Sequence, residues 1–86
     1  MMLLGRKNSL EKVAAFLLEM DRRLSVTGVL ALPMARRDIA DYLGLTVETV
    51  SRELSQLRAS GILTFSESSH RRIVLIDRLK LQRLTS

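Results

Sequence analysis

The chain has 86 residues, with 14 Lys plus Arg against 9 Asp plus Glu and a formal net charge of +5. It has no cysteine and one histidine, His70, which excludes disulfides, thiolate metal sites and a Cys–His catalytic pair. Hydrophobic residues make up 47% and charged residues 27%, the balance of one small globular domain, and a basic domain of this size calls for a polyanion or an anionic surface.

No apolar run approaches the roughly 18 residues of a membrane span. Aromatics are 3%, too few for a base-stacking platform for single strands. A domain this short buries only about 60–65% of its unfolded surface, so a partner chain or an upstream domain is expected to support it. Met1-Met2-Leu3-Leu4-Gly5-Arg6-Lys7 has its charges after its apolar residues, the wrong order for a signal peptide. It reads as the loose end of an element continuing from upstream.

The spacing predicts a first helix over Ser9–Leu24, with Leu10, Val13, Ala14, Leu17 and Leu24 as its apolar stripe. Asn8 and Glu11 resemble a capping pair at its start. Phe16 and Leu18 fall off the stripe, so they are expected to be lightly exposed or to touch a neighbouring domain. Val26 to Pro33 reads as a turn and a short edge strand, closed by Pro33, which lacks an N–H.

A second helix is predicted over Arg36–Leu43, with Ile39, Ala40 and Leu43 inward and Gly44 breaking it. A third starts after Thr46, a good N-cap residue, and runs to about Ser60, with Gly61 as its left-handed terminator. Ile62–Phe65 and Arg72–Ile76 are β-rich and separated by the polar stretch 66–71, which reads as a hairpin. Asp77 to Leu84 adds a last helical turn or two. Two helices separated by three residues around a glycine, then a two-stranded ribbon, make a winged helix-turn-helix: mainly α with a small β-hairpin. Residues 1–86 are thus one domain, with the helix-turn-helix over 36–60 and the wing over 62–76.

The third helix has two faces. Val50, Leu54 and Leu57, with Val47 beside them, form a core face. Glu48, Ser51, Arg52 and Ser55 lie within about 100° of one another on the opposite side. A guanidinium can donate two bonds to guanine O6 and N7, a carboxylate can accept from cytosine N4, and a small hydroxyl can approach a thymine methyl or a base edge. Glu48 and Arg52, one turn apart, can also hold each other. The plainer reading is a common surface salt bridge worth about 0.3–0.5 kcal/mol. The helix spacing, the basic balance and the hairpin favour DNA.

Thr46 and Thr49 sit in the first turn of that helix, where hydroxyls and free N–H groups favour anions. Arg36 and Arg37 open the second helix, and His70, Arg71 and Arg72 crown the hairpin. All are candidates for phosphate contact, although a threonine that only caps and an arginine that only meets solvent are the plainer alternatives. No nucleophile–base pair, phosphate-binding glycine loop or metal cluster points to an enzyme, a metal or a cofactor. The rival reading is a winged helix that docks on another protein through the Glu48–Arg52 stripe.

The stretch Leu32-Pro33-Met34-Ala35-Arg36-Arg37-Asp38-Ile39-Ala40-Asp41-Tyr42-Leu43-Gly44-Leu45-Thr46-Val47-Glu48-Thr49-Val50-Ser51-Arg52 closely resembles the Crp/Fnr family of bacterial transcription regulators. Its Glu-Thr-Val-Ser-Arg segment looks most like the Fnr and FixK branches, and the resemblance covers about residues 4–76.

The resemblance implies a C-terminal DNA-binding domain in a cytoplasmic homodimer, preceded by an effector-binding β-barrel and a long dimerisation helix of which residues 3–6 look like the last turn. It implies double-stranded DNA as the partner, with RNA polymerase as a further candidate. Arg52 would read the guanine, Glu48 the cytosine opposite it and Ser51 the neighbouring thymine, while Thr46, Thr49 and Arg36 match phosphate-contact positions. Val47 stands where the Crp branch has arginine, which favours a TTGAT-like half-site as in Fnr. Ala35 replaces the family's usual Ser or Thr, at the expense of one cap and one phosphate contact.

Overall fold

The computed structural model describes residues 8–24, 29–32, 34–66 and 69–85; the side chains of residues 24, 31, 66 and 69–71 lie outside that description. The expectations for residues 1–7, for Pro33, and for the side chains of Leu24, His70 and Arg71 therefore fall outside the described residues.

The elements run α1 (Ser9–Leu24), β1 (Val29–Ala31), α2 (Arg36–Leu43), α3 (Val47–Ala59), β2 (Leu63–Ser66), β3 (Ser69–Leu75) and α4 (Arg78–Arg83). The fold is the expected winged helix-turn-helix. α1 begins with a reciprocal cap: the Glu11 N–H donates to Asn8 Oδ1 at 2.8 Å and the Asn8 N–H to Glu11 Oε1 at 3.0 Å. This satisfies two amides that the first turn otherwise leaves open.

α2 and α3 both end on glycine. The Leu45 N–H reaches back to Ala40 O at 2.8 Å, and the Ile62 N–H to Leu57 O at 3.1 Å. Gly44 (φ 72°) and Gly61 (φ 78°) occupy the left-handed conformation that this closure requires. A Cβ at either position would meet nothing within 4 Å, so backbone conformation rather than space selects glycine.

The core joins Val13, Phe16 and Leu17 of α1, Ile39 and Ala40 of α2, Val50, Leu54 and Leu57 of α3, and Leu30, Leu63, Ile73 and Leu75 of the sheet. Phe16, expected near the surface, is 3% exposed, and its ring meets that of Tyr42 of α2 in a tilted pair with centres 5.9 Å apart. Leu18 also packs against the core. The apolar face of α1 is wider than one stripe because β1, α3 and α4 all pack on that helix.

The hairpin is one part of a three-stranded antiparallel sheet in the order β1-β3-β2, with Leu30 opposite Ile73 and Phe65 opposite Ile73 from the other side. β1 is an edge strand as expected, but its pairing on β3 makes the two-stranded ribbon a three-stranded sheet. The spacer between the hairpin strands is also shorter than expected, because β2 extends to Ser66 and β3 begins at Ser69. Backbone pairing continues past the apolar positions, because the ladder is built from main-chain N–H and C=O groups that polar residues carry equally well.

The C-terminal segment does more than add a turn. Asp77 caps α4 by accepting from the Lys80 N–H at 3.0 Å, and Leu81 is fully buried. Arg78 donates twice to Asp21 of α1, at 2.9 and 3.0 Å. That hydrogen bonding raises the Arg78 pKa above its ordinary value, so the guanidinium stays charged at any working pH.

A second tie crosses from α1 to α3, where Ser9 Oγ donates to Glu53 Oε2. Glu53 is 6% exposed, and without this donor its carboxylate would lose a hydrogen bond in a poorly solvated place.

Two stability losses are expected. Leu81→Ala should cost about 2–4 kcal/mol in urea unfolding, because it empties a closed site under α1; a loss below about 1 kcal/mol would mean that α4 is not part of the cooperative core. Ser9→Ala should cost about 1–3 kcal/mol through the deprived Glu53 carboxylate, measured in the same way.

Candidate nucleic-acid interface

α3 is held at both ends. At its start Thr46 has extended backbone (φ −91°, ψ 160°), and its Oγ1 accepts from the Thr49 N–H at 3.1 Å while its hydroxyl donates to Thr49 Oγ1 at 2.9 Å. At its finish the Gly61 closure passes the chain directly into β2, and the Ile76 and Asp77 N–H groups donate to Ile62 O at 2.7 and 3.0 Å. With Val50, Leu54 and Leu57 buried between these ends, the rotation of α3 about its axis is fixed.

That rotation turns Glu48, Ser51, Arg52 and Ser55 outward, and all four are exposed. The expected grouping on one face is present. Val47 is not part of the core as expected: it is 37% exposed, and the fourth inward position of α3 belongs to Glu53. Glu53, in the middle of the helix, faces Ser9 of α1 and accepts its hydroxyl hydrogen bond. Among the described residues no ion pair joins Glu48 to Arg52. Both side chains lie in water, which competes for each charge, and holding two long side chains together costs conformational entropy.

Around this face lie the other candidates. Thr46 is exposed and Thr49 half-buried at the α3 N-terminus, where the two hydroxyls occupy each other. Arg36 is half-buried and Arg37 exposed at the start of α2. Ala35 takes the N-cap position there with no side-chain cap bond, so the missing hydroxyl is a real loss at that helix start. Arg72 is exposed on β3, opposite Ala31 of the edge strand. The turn between α2 and α3 is held from behind by Lys12, whose Nζ donates to Leu43 O at 3.5 Å.

Arg58 and Phe65 escaped the sequence reading. Arg58 and Arg36 each place a guanidinium 5.6 Å from the centre of the Phe65 ring, close enough for cation–π attraction. With Ser51, Leu54 and Ser55 they line a cleft between α3 and the wing. Part of this was available from the helix period: Ser51, Ser55 and Arg58 are spaced i, i+4, i+7 and so share a face. Phe65 comes from another element, and no local pattern marks it.

The chain matches the model of the Crp-like helix-turn-helix domain over residues 11–84. It is 48% identical to the nitrogen fixation regulation protein FixK of Azorhizobium caulinodans and 44% identical to FixK of Bradyrhizobium diazoefficiens, covering all of this chain but only 36% and 37% of those proteins. Among solved structures it is similar to FixK2 from Bradyrhizobium japonicum, with 64% identity and a TM-score of 0.90 over 98% of this chain and 41% of that one. CooA from Carboxydothermus hydrogenoformans, a CO-dependent transcription factor, is similar at 30% identity and a TM-score of 0.78, over 92% of this chain and 37% of that one. The chain thus spans little more than a third of the length of these regulators. With a family match over nearly its whole length and transcription regulators rather than enzymes as its relatives, this chain belongs to the Crp/Fnr family, as its helix-turn-helix DNA-binding domain.

Proposed function

We propose that this domain reads duplex DNA in the major groove through Glu48, Ser51 and Arg52. One observation carries this reading: the three side chains are exposed together on the face of α3 opposite Val50, Leu54 and Leu57. A major groove about 12 Å wide admits one helix, and only the face turned from the core can enter it. Arg52 supplies the two parallel donors that match guanine, Glu48 the acceptor for cytosine N4, and Ser51 a small group for thymine. The absence of arginine at position 47 favours a TTGAT-like half-site.

Thr46, Thr49, Arg36, Arg37 and Arg71 hold the flanking phosphates and set register without carrying sequence information. Ala35 adds nothing there, which throws more of the backbone grip onto the arginines.

In the whole regulator two such domains bind a two-fold symmetric site in the cytoplasm, with half-sites one helical turn apart. An upstream effector domain and dimerisation helix bring the pair together, and RNA polymerase is a further partner. This chain alone behaves as a monomer or weak dimer. Without a tethered second domain it gives up an advantage of about 10²–10⁴ in affinity. Among the described residues no helix is long and apolar enough to cross a membrane.

Binding by the 86-residue chain should therefore be weak and fall steeply with salt, as counterion release requires. Nanomolar affinity for a single half-site, unchanged by salt, would contradict this. Arg52→Ala should erase preference at one guanine at a cost of about 1–3 kcal/mol, whereas Arg36→Ala should weaken binding to all sequences alike. Fluorescence anisotropy with matched and scrambled duplexes separates the two effects. Equal losses on both duplexes for both variants would remove Arg52 from base readout. No binding to random DNA even at low salt would favour a protein partner for this face instead.

A further inference from the structure

We propose that Arg58 and Arg36, stacked together on Phe65, form a second backbone grip that seats one DNA phosphate in the cleft between α3 and the wing. The proposal rests on the reading of α3 as the groove-entering helix. It assigns Arg58 and Phe65 to that interface.

Three observations converge on this cleft. The first is its chemistry: two guanidiniums and two serine hydroxyls, Ser51 and Ser55, line one opening. These groups can all donate toward an anion, and among the described residues lining the cleft none is a carboxylate. The second is the stack. Each guanidinium carbon lies 5.6 Å from the same ring centre, so the two carbons are no farther apart than twice that distance. Attraction to the Phe65 ring restrains both guanidiniums, so a phosphate meets positioned donors rather than mobile ones.

The third is position. Helical rise places Arg58 about 9 Å farther along α3 than Arg52, a distance comparable to the depth of the major groove. With the first turns of α3 at the base edges, Arg58 is level with the sugar–phosphate backbone. Ser51 faces both regions, because it belongs to the exposed stripe and also lines the cleft. Phe65 packs against the core from β2, so the wing places the ring and the ring places the cations.

The roles separate by charge and by stacking. Arg58→Ala removes one cation. The slope of log affinity against log salt should fall by about one, and affinity for matched and scrambled duplexes should drop together by roughly three- to tenfold at low salt. Arg58→Lys keeps the charge, so the slope should stay near that of the unmodified chain while affinity falls less.

Phe65→Leu keeps both charges and an apolar contact with the core but removes the ring face. It should weaken binding with the slope unchanged, and adding it to Arg58→Ala should cost less than the two separate losses combined. Thermal melts of each variant show that the domain stays folded. Anisotropy titrations of the 86-residue chain over a salt series read all of these effects.

The proposal is overturned if Arg58→Ala leaves affinity and slope unchanged, if it alters preference among bases instead of the slope, or if Phe65→Leu and Arg58→Ala act independently. If the unmodified chain shows no salt-dependent binding to any duplex, the reading of α3 itself fails, and the grip with it.

Discussion

Burial of one side of α3 is the constraint on which the rest of this domain depends. Val50, Leu54 and Leu57 are almost entirely removed from water, and each fully buried aliphatic side chain contributes about 1.5–3 kcal/mol. A helix anchored in this way cannot rotate without exposing those residues. The directions of Glu48, Ser51, Arg52 and Ser55 are therefore set by residues on the opposite, buried side of the helix. The Thr46 cap and the Gly61 closure complete this by fixing where the helix starts and stops.

Around α3 the structure is a set of braces. Ser9 holds Glu53 from α1, Lys12 holds the turn before α3, and the tilted Phe16–Tyr42 ring pair ties α1 to α2. On the far side Leu81 and the Asp21–Arg78 pair fasten α4 to α1. These ties are individually modest. Together they give a domain of 86 residues a core that reaches from its first helix to its last, which compensates for the large share of surface that a small domain leaves in water. The exposed stripe on α3 can then remain hydrated, unpaired between Glu48 and Arg52, and ready to exchange water for another polar surface.

Much of the fold was legible in the sequence because it is local. The helix of residues 36–43, the three-residue turn and the helix that follows are written in the apolar period, a threonine cap and two glycines. The exposed stripe follows from the same period, since a helix with one apolar face has its opposite face in water. Phe16 and Val47 were misread for one reason. Helical spacing predicts a face but not its width, and width depends on how many neighbours close over it. α1 has three elements packed on it, whereas Val47, the first residue of α3, keeps 37% of its surface exposed. Glu53 shows the reverse: a carboxylate looks like surface until its donor arrives from 44 residues away.

The sequence by itself determined the order of elements, the helix ends and the identity of the outward face on α3, because each is a matter of residues within one or two turns of one another. Only the tertiary structure decided that residues 29–31 pair with β3, that α4 closes the core, and that Arg36, Arg58 and Phe65 meet. The last three residues come from three elements, separated by 22 and 7 positions in the chain. No backbone period links them. Their meeting depends on where the wing crosses α3, and packing of the whole core sets that crossing.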